Sequence, residues 1–179
     1  MVDTIIVRIS IVLLRGIRNN TIEIRTITVS TIKKESTKIE NVNYIAMDAA
    51  GNKFEIQAKE GQTDARNYEN IFLTKVKAKI NLRDYEVITI TADTADYNKS
   101  TVETFFKNNV QVNYINHKVE SDKLHLSFQD KIASINENVV YMGNNTKMIA
   151  DNIEIDFGDK NTKVFMNSSD EKVFVKTVY

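Results

Sequence analysis

Two histidines, His117 and His125, and three evenly spaced aspartates, Asp93, Asp122 and Asp151, are the residues of this chain best suited to chemistry. A histidine pair could ligate a metal or move a proton, and carboxylates in register could hold calcium or act as acid and base. The histidines lie eight residues apart in an alternating stretch, with no acidic or cysteine partner at a ligand spacing. They read as exposed or hydrogen-bonded surface residues rather than metal ligands. The aspartates, near expected strand ends, read as turn hydrogen-bonders. The sequence has no glycine-rich phosphate loop, no nucleophile elbow and no cysteine. Neither an enzyme nor a bound metal or cofactor is expected.

The spacing of those aspartates carries more information than their chemistry. Ala92-Asp93, Ser121-Asp122 and Ala150-Asp151 are each 29 residues apart, and Phe128 and Phe157 keep the same offset, as do Asn109-Val110 and Asn138-Val139. A fixed period of this size marks a stacked supersecondary unit, here two strands and their turns.

Composition sets the outer bounds. At 179 residues the chain is one domain, or a small domain with an arm. Lys+Arg and Asp+Glu are both 24, so the net charge is zero, which argues against broad electrostatic capture of nucleic acid. Ile5–Leu14 is mostly apolar but is interrupted by Arg8. It is shorter than the ~20 residues of a membrane-spanning helix, and no small-residue cleavage site follows it. It reads as an anchor remnant, an altered start or a β-strand.

The elements that must position any site are strands. Thr21–Ser30 alternates with one slip of phase. Asp48-Ala49-Ala50-Gly51-Asn52 between two alternating runs is the clearest hairpin. Ile71–Leu82 alternates, with Phe72, Thr74, Val76, Ala78 and Ile80 expected on one face. Further strands are expected over Val87–Ala92, Thr104–Tyr114, Lys123–Phe128, Ile132–Met142, Lys147–Phe157, Lys163–Met166 and Lys172–Val178. About twelve short strands and no convincing amphipathic helix make an all-β chain.

Several of these stretches resemble a known family. Asp48 to Ala58 followed by Ile71-Phe72-Leu73 resembles the opening hairpin of the lipopolysaccharide-export LptC family. Thr91 to Asn98, Phe106 to Val112 and Ala150 to Asp156 resemble the repeat pattern shared with LptA and OstA-like domains. The resemblance runs over roughly Asn41–Val178. It implies an open β-jellyroll of short antiparallel strands over residues 41–179, with residues 1–40 as an N-terminal arm. It also implies a place at the periplasmic face of the inner membrane, where lipopolysaccharide passes from an ABC transporter of LptB/LptF/LptG type to a periplasmic LptA-type jellyroll by edge-to-edge docking. Members carry an N-terminal membrane helix, a pattern from which Ile5–Leu14 departs.

Such a role would need an apolar trough, because each acyl CH₂ exposed to water costs about 0.8 kcal/mol. Ile88, Ile90, Phe105, Val110, Val112, Leu124, Leu126, Phe128, Ile153, Ile155 and Phe157 are the inward candidates for lipid binding. The same set would serve equally as the ordinary core of a β-sandwich. The terminal strand, with Val173, Phe174, Val175, Lys176 and Thr177, is the candidate docking edge, although its lysines also suit protection of an exposed edge. A structural β-repeat that assembles through its edges without a ligand is the alternative. A sugar-binding module is a weaker one, given the absence of tryptophan.

Overall fold

Period-two alternation of apolar and polar residues leaves each segment one face to bury and a backbone that must pair with a neighbour. The computed structural model describes residues 37–63, 67–83, 85–168 and 170–177, and these belong to one unit, Ser36–Tyr179. Ile5–Leu14 and Thr21–Ser30 lie outside the described residues, as does nearly all of the expected arm.

Ten strands follow in order: β1 (Lys38–Met47), β2 (Lys53–Thr63), β3 (Asn70–Asn81), β4 (Ile88–Asn98), β5 (Glu103–Tyr114), β6 (His117–Ser127), β7 (Ile132–Gly143), β8 (Thr146–Asp156), β9 (Asn161–Phe165) and β10 (Phe174–Thr177). They correspond to the strands expected from Tyr44 onward. Each of β1 to β8 pairs antiparallel with the next, forming one continuous sheet. The far side of β8 is shared: β10 pairs with Thr146–Ile149 and β9 with Asn152–Asp156. Among the described residues the sheet does not close, so there β1 forms one edge and β9 with β10 the other. The architecture is all-β and open, consistent with an open β-jellyroll.

The turns follow their sequence chemistry. Asp48 accepts from the backbone N–H groups of Ala50 and Asn52 and from the Asn52 amide, while Gly51 takes φ +85°. Asn144 and Asn145 both adopt positive φ in the tight β7–β8 connection, as a type I′ turn requires.

Every long strand must bend for a sheet to wrap around a core, and the repeat encodes where it does so. In β4, β6 and β8 the buried phase flips across the small-residue–Asp pair. It passes from Ile90 and Ala92 to Ala95 and Tyr97, from Ser121 to Leu124 and Leu126, and from Ala150 to Ile153. The facing strands absorb an extra residue through two consecutive left-handed residues, Asn108-Asn109 in β5 and Glu137-Asn138 in β7. These are β-bulges, which bend a strand and increase its twist. In β3 the left-handed Lys75 (φ 53°) changes the phase with no register shift against β2 or β4. It shifts the buried set from Ile71 and Leu73 to Val76, Ala78 and Ile80. Phe72 and Thr74 therefore do not share the buried face expected for them, since period two does not survive the left-handed Lys75.

The aspartates hold these corners. Asn109 Nδ2 donates to Asp93 Oδ2 and Asn138 Nδ2 to Asp122 Oδ2, each at 2.5 Å, while the Asn167 backbone N–H donates to Asp151 Oδ2 at 2.8 Å. Each pair spans 16 residues. The expected turn role is thus corrected: the three aspartates sit within strands, at the bends. Lys75 Nζ also bonds Asp93, and these partners hold the Asp93 carboxyl below its ordinary pKa, the Lys75 hydrogen bond being the largest cause and the Asn109 bond the next.

Wrapping brings distant strands together. The Phe54 ring (β2) stacks on Phe128, just past β6, at 5.7 Å between centroids, and lies 6.4 Å from Tyr97 of β4. With Leu73, Phe106 and Leu126, all fully buried, they form a dry core.

Candidate functional site

The interior is not filled throughout. Beyond the Phe54–Phe128 core, a cavity of about 440 Å³ lies between the two arms of the bent strands. The C-terminal part of β3 and the N-terminal part of β4 contribute Ile80, Ile88 and Ile90, the β5–β6 hairpin Val112 and Val119, and the second halves of β6 and β8 Leu124, Ile153 and Ile155. The walls are thus aliphatic, and the volume is within the ~300–1,000 Å³ common for ligand pockets.

Its ends are aromatic and polar. At one end Tyr114, His117 and Tyr141 stack in series, and His117 Nδ1 and the Tyr141 hydroxyl share a hydrogen bond of 2.6 Å. Gly143 makes this pair possible, since a Cβ there would stand 2.6 Å from His117 Nδ1 and 2.9 Å from the Tyr141 oxygen. At the other end Phe157, Tyr85 and Lys160 line the mouth, with Lys160 Nζ 5.3 Å from the centre of the Tyr85 ring.

The eleven inward candidates divide into three groups. Ile88, Ile90, Val112, Leu124, Ile153, Ile155 and Phe157 line the cavity. Val110, Leu126 and Phe128 are buried but outside its lining, in the packed core. Phe105 faces outward: it is 44% exposed, lies flat on the His125 ring at 4.1 Å, and borders a shallow cleft of about 680 Å³ with Phe72 and Glu103. Its neighbour Phe106, fully buried, takes the inward place. The sequence reading missed Leu82, Tyr85, Tyr114, His117, Tyr141, Met148 and Lys160 among the lining residues. Most of these sit at strand ends, where alternation gives no warning.

The histidines fit the hydrogen-bonded surface reading in part, since His117 bonds Tyr141 and neither ring is fully buried. His117 is half-buried at the cavity end, and His125 is half-buried between Phe105 and Glu103, its Nε2 lying 3.5 Å from a Glu103 carboxylate oxygen. Among the described residues, no group of three His, Asp or Glu side chains is placed to hold a metal ion.

The candidate docking residues lie at the sheet edge. Phe174–Thr177 form β10, paired on one side with β8, while Val173 just precedes it. Phe174 and Val175 are more than half exposed. Among the described residues, no helix is long and apolar enough to cross a membrane.

No curated protein matches the chain. Residues 5–168 match a family described as lipopolysaccharide-assembly, LptC-related. An open, all-β antiparallel sheet is also the fold that this family implies. The chain belongs to the LptC-related family, whose role is in lipopolysaccharide transport.

Proposed function

We propose that this protein is a non-enzymatic carrier that shelters the acyl chains of lipopolysaccharide in its interior and relays them between neighbouring jellyrolls. The observation that carries this reading is the cavity of about 440 Å³ with aliphatic walls inside a sheet that stays open. An acyl chain leaving a membrane loses about 0.8 kcal/mol per methylene to water. A trough walled by Ile88, Ile90, Val112, Leu124, Ile153, Ile155 and Phe157 removes that cost without a covalent step. A scaffold with no ligand would gain from a filled interior, because an unfilled apolar cavity forfeits packing contacts.

Relay requires edges, and the open sheet has two. At the β10 edge, Val173, Phe174, Val175, Lys176 and Thr177 would receive a strand of a periplasmic LptA-type jellyroll by backbone pairing. The inner-membrane ABC transporter, of LptB/LptF/LptG type, would deliver the lipid. On this reading the domain works at the periplasmic face of the inner membrane.

Filling the cavity tests the reading. Ile155→Trp should keep the fold, since its indole has space to enter, and should carry much less lipopolysaccharide per mole of purified protein than the wild type. Equal lipid content in both proteins would count against the trough.

A further inference from the structure

We infer that the mouth of the cavity carries a subsite for a phosphate group borne by the lipid, built from Arg83, Lys131 and Lys160. This deepens the carrier reading and rests on it. The three basic residues line one open cleft of about 550 Å³, which shares Leu82, Tyr85, Phe157 and Lys160 with the apolar cavity. An apolar interior thus opens directly onto three cations, in a chain whose net charge is zero. An amphiphile with an anionic head has this same order of parts.

The backbone brings the cations together. Lys131 and Lys160 occupy equivalent turns of the repeat, 29 residues apart, both at left-handed φ (60° and 55°). That conformation suits glycine or asparagine, and a long side chain there is held against local preference. The Phe157 backbone N–H donates to the Lys131 carbonyl at 2.8 Å, which stacks one turn on the other. A Cβ on Gly158 would touch the Lys131 stem at 3.7 Å, so that side chain runs beside the second turn. Arg83 is fixed from the other side by its backbone N–H bond to Asn52 Oδ1 at 2.9 Å.

Two carboxylates stand beside the cations: Asp48 attracts Lys131, and Asp156 lies with the Lys131 stem against Gly158. Asp48 accepts from the Asn52 amide and from the Ala50 and Asn52 backbone, and Asp156 accepts from the Gly158 and Asp159 backbone. Asp159 is exposed in the same turn and is not part of the cleft lining. Arg83 can offer a two-pronged contact to a phosphate, and the lysines supply point charge.

The test compares lipopolysaccharide carrying its lipid A phosphates with the same preparation after phosphatase treatment, on wild type and on a combined Arg83→Gln, Lys131→Asn, Lys160→Asn variant. Asparagine suits the left-handed turns, and binding of the dephosphorylated lipid reports whether the variant's trough is intact. Wild type should bind the phosphorylated form roughly tenfold more tightly, and the variant should bind both forms as wild type binds the dephosphorylated one. Equal wild-type affinity for the two forms, or a preference that survives in the variant, would overturn the subsite and leave the carrier reading standing. Failure of wild type to bind either form would overturn the carrier reading and the subsite with it. Inorganic phosphate is the third arm: tighter binding of it than of the phosphorylated lipid would assign the cleft to a free anion instead.

Discussion

Asn138 donates its side-chain amide to Asp122 at the corner between β6 and β7, as Asn109 does to Asp93 one repeat earlier. The 29-residue period is therefore a record of where strands bend, not of where chemistry happens. Removing one such contact should loosen one corner. Asp122→Ala is expected to cost about 0.5–1 kcal/mol in urea unfolding, the net worth of one exposed hydrogen bond. Unchanged stability would remove the aspartates from the account of the bends.

The pH dependence of stability should carry the same signature. Asp93 is held below its ordinary pKa, first by its bond to Lys75 and then by Asn109. A carboxyl depressed in the folded state stabilises the protein above its unfolded pKa and loses that contribution as pH falls through the folded value. The melting temperature should therefore fall on acidification below the ordinary carboxylate range, and Asp93→Asn should make that fall shallower. Identical acid limbs in wild type and variant would contradict the assignment.

How far the sequence could take this argument shows in Thr104-Phe105-Phe106. Counting back from Val110 in twos reaches Phe106, the buried ring, while Phe105 falls outside. Parity holds there because Asn108-Asn109 add two left-handed residues, yet it flips across Ala92-Asp93 and Ser121-Asp122. Alternation therefore finds the strands but loses the face at the bends of β3, β4, β6 and β8, as it does for Phe72 and Thr74. The all-β class, the turns and the aliphatic walls are legible because they rest on local pattern. The division of Leu124 from Leu126, one lining the cavity and one in the dry core, depends on how the sheet wraps and has no local signal.

That division has an energetic consequence. Leu126 is surrounded by packed side chains, so Leu126→Ala is expected to cost about 2–5 kcal/mol. Ile155 is half-buried and borders empty volume, so its wall already lacks part of its contacts. Ile155→Ala should cost clearly less in parallel urea titrations. Equal losses would mean that the interior near Ile155 is as tightly packed as the core.

At the aromatic end of the cavity, Gly143→Ala should be poorly tolerated for a reason other than turn conformation. Its Cβ would meet His117 Nδ1 at 2.6 Å and the Tyr141 oxygen at 2.9 Å. The His117–Tyr141 hydrogen bond should break, with a loss of about 1–3 kcal/mol typical of overpacking and a shift of the His117 ring resonances. An unaltered His117 signal at full stability would show that the pair is not held as described.

The central claim, that the unfilled interior is a lipid trough, is tested most directly by photocrosslinking in cells. A photoreactive residue at Ile155 faces the cavity, whereas one at Glu154 stands on the opposite face of the same strand, paired with Lys163. The expected result is a lipopolysaccharide adduct at Ile155 and none at Glu154, with Val112 on the facing wall behaving like Ile155. Absence of any adduct at both Ile155 and Val112, in a folded and correctly localised protein, would contradict the trough and leave a structural repeat in its place.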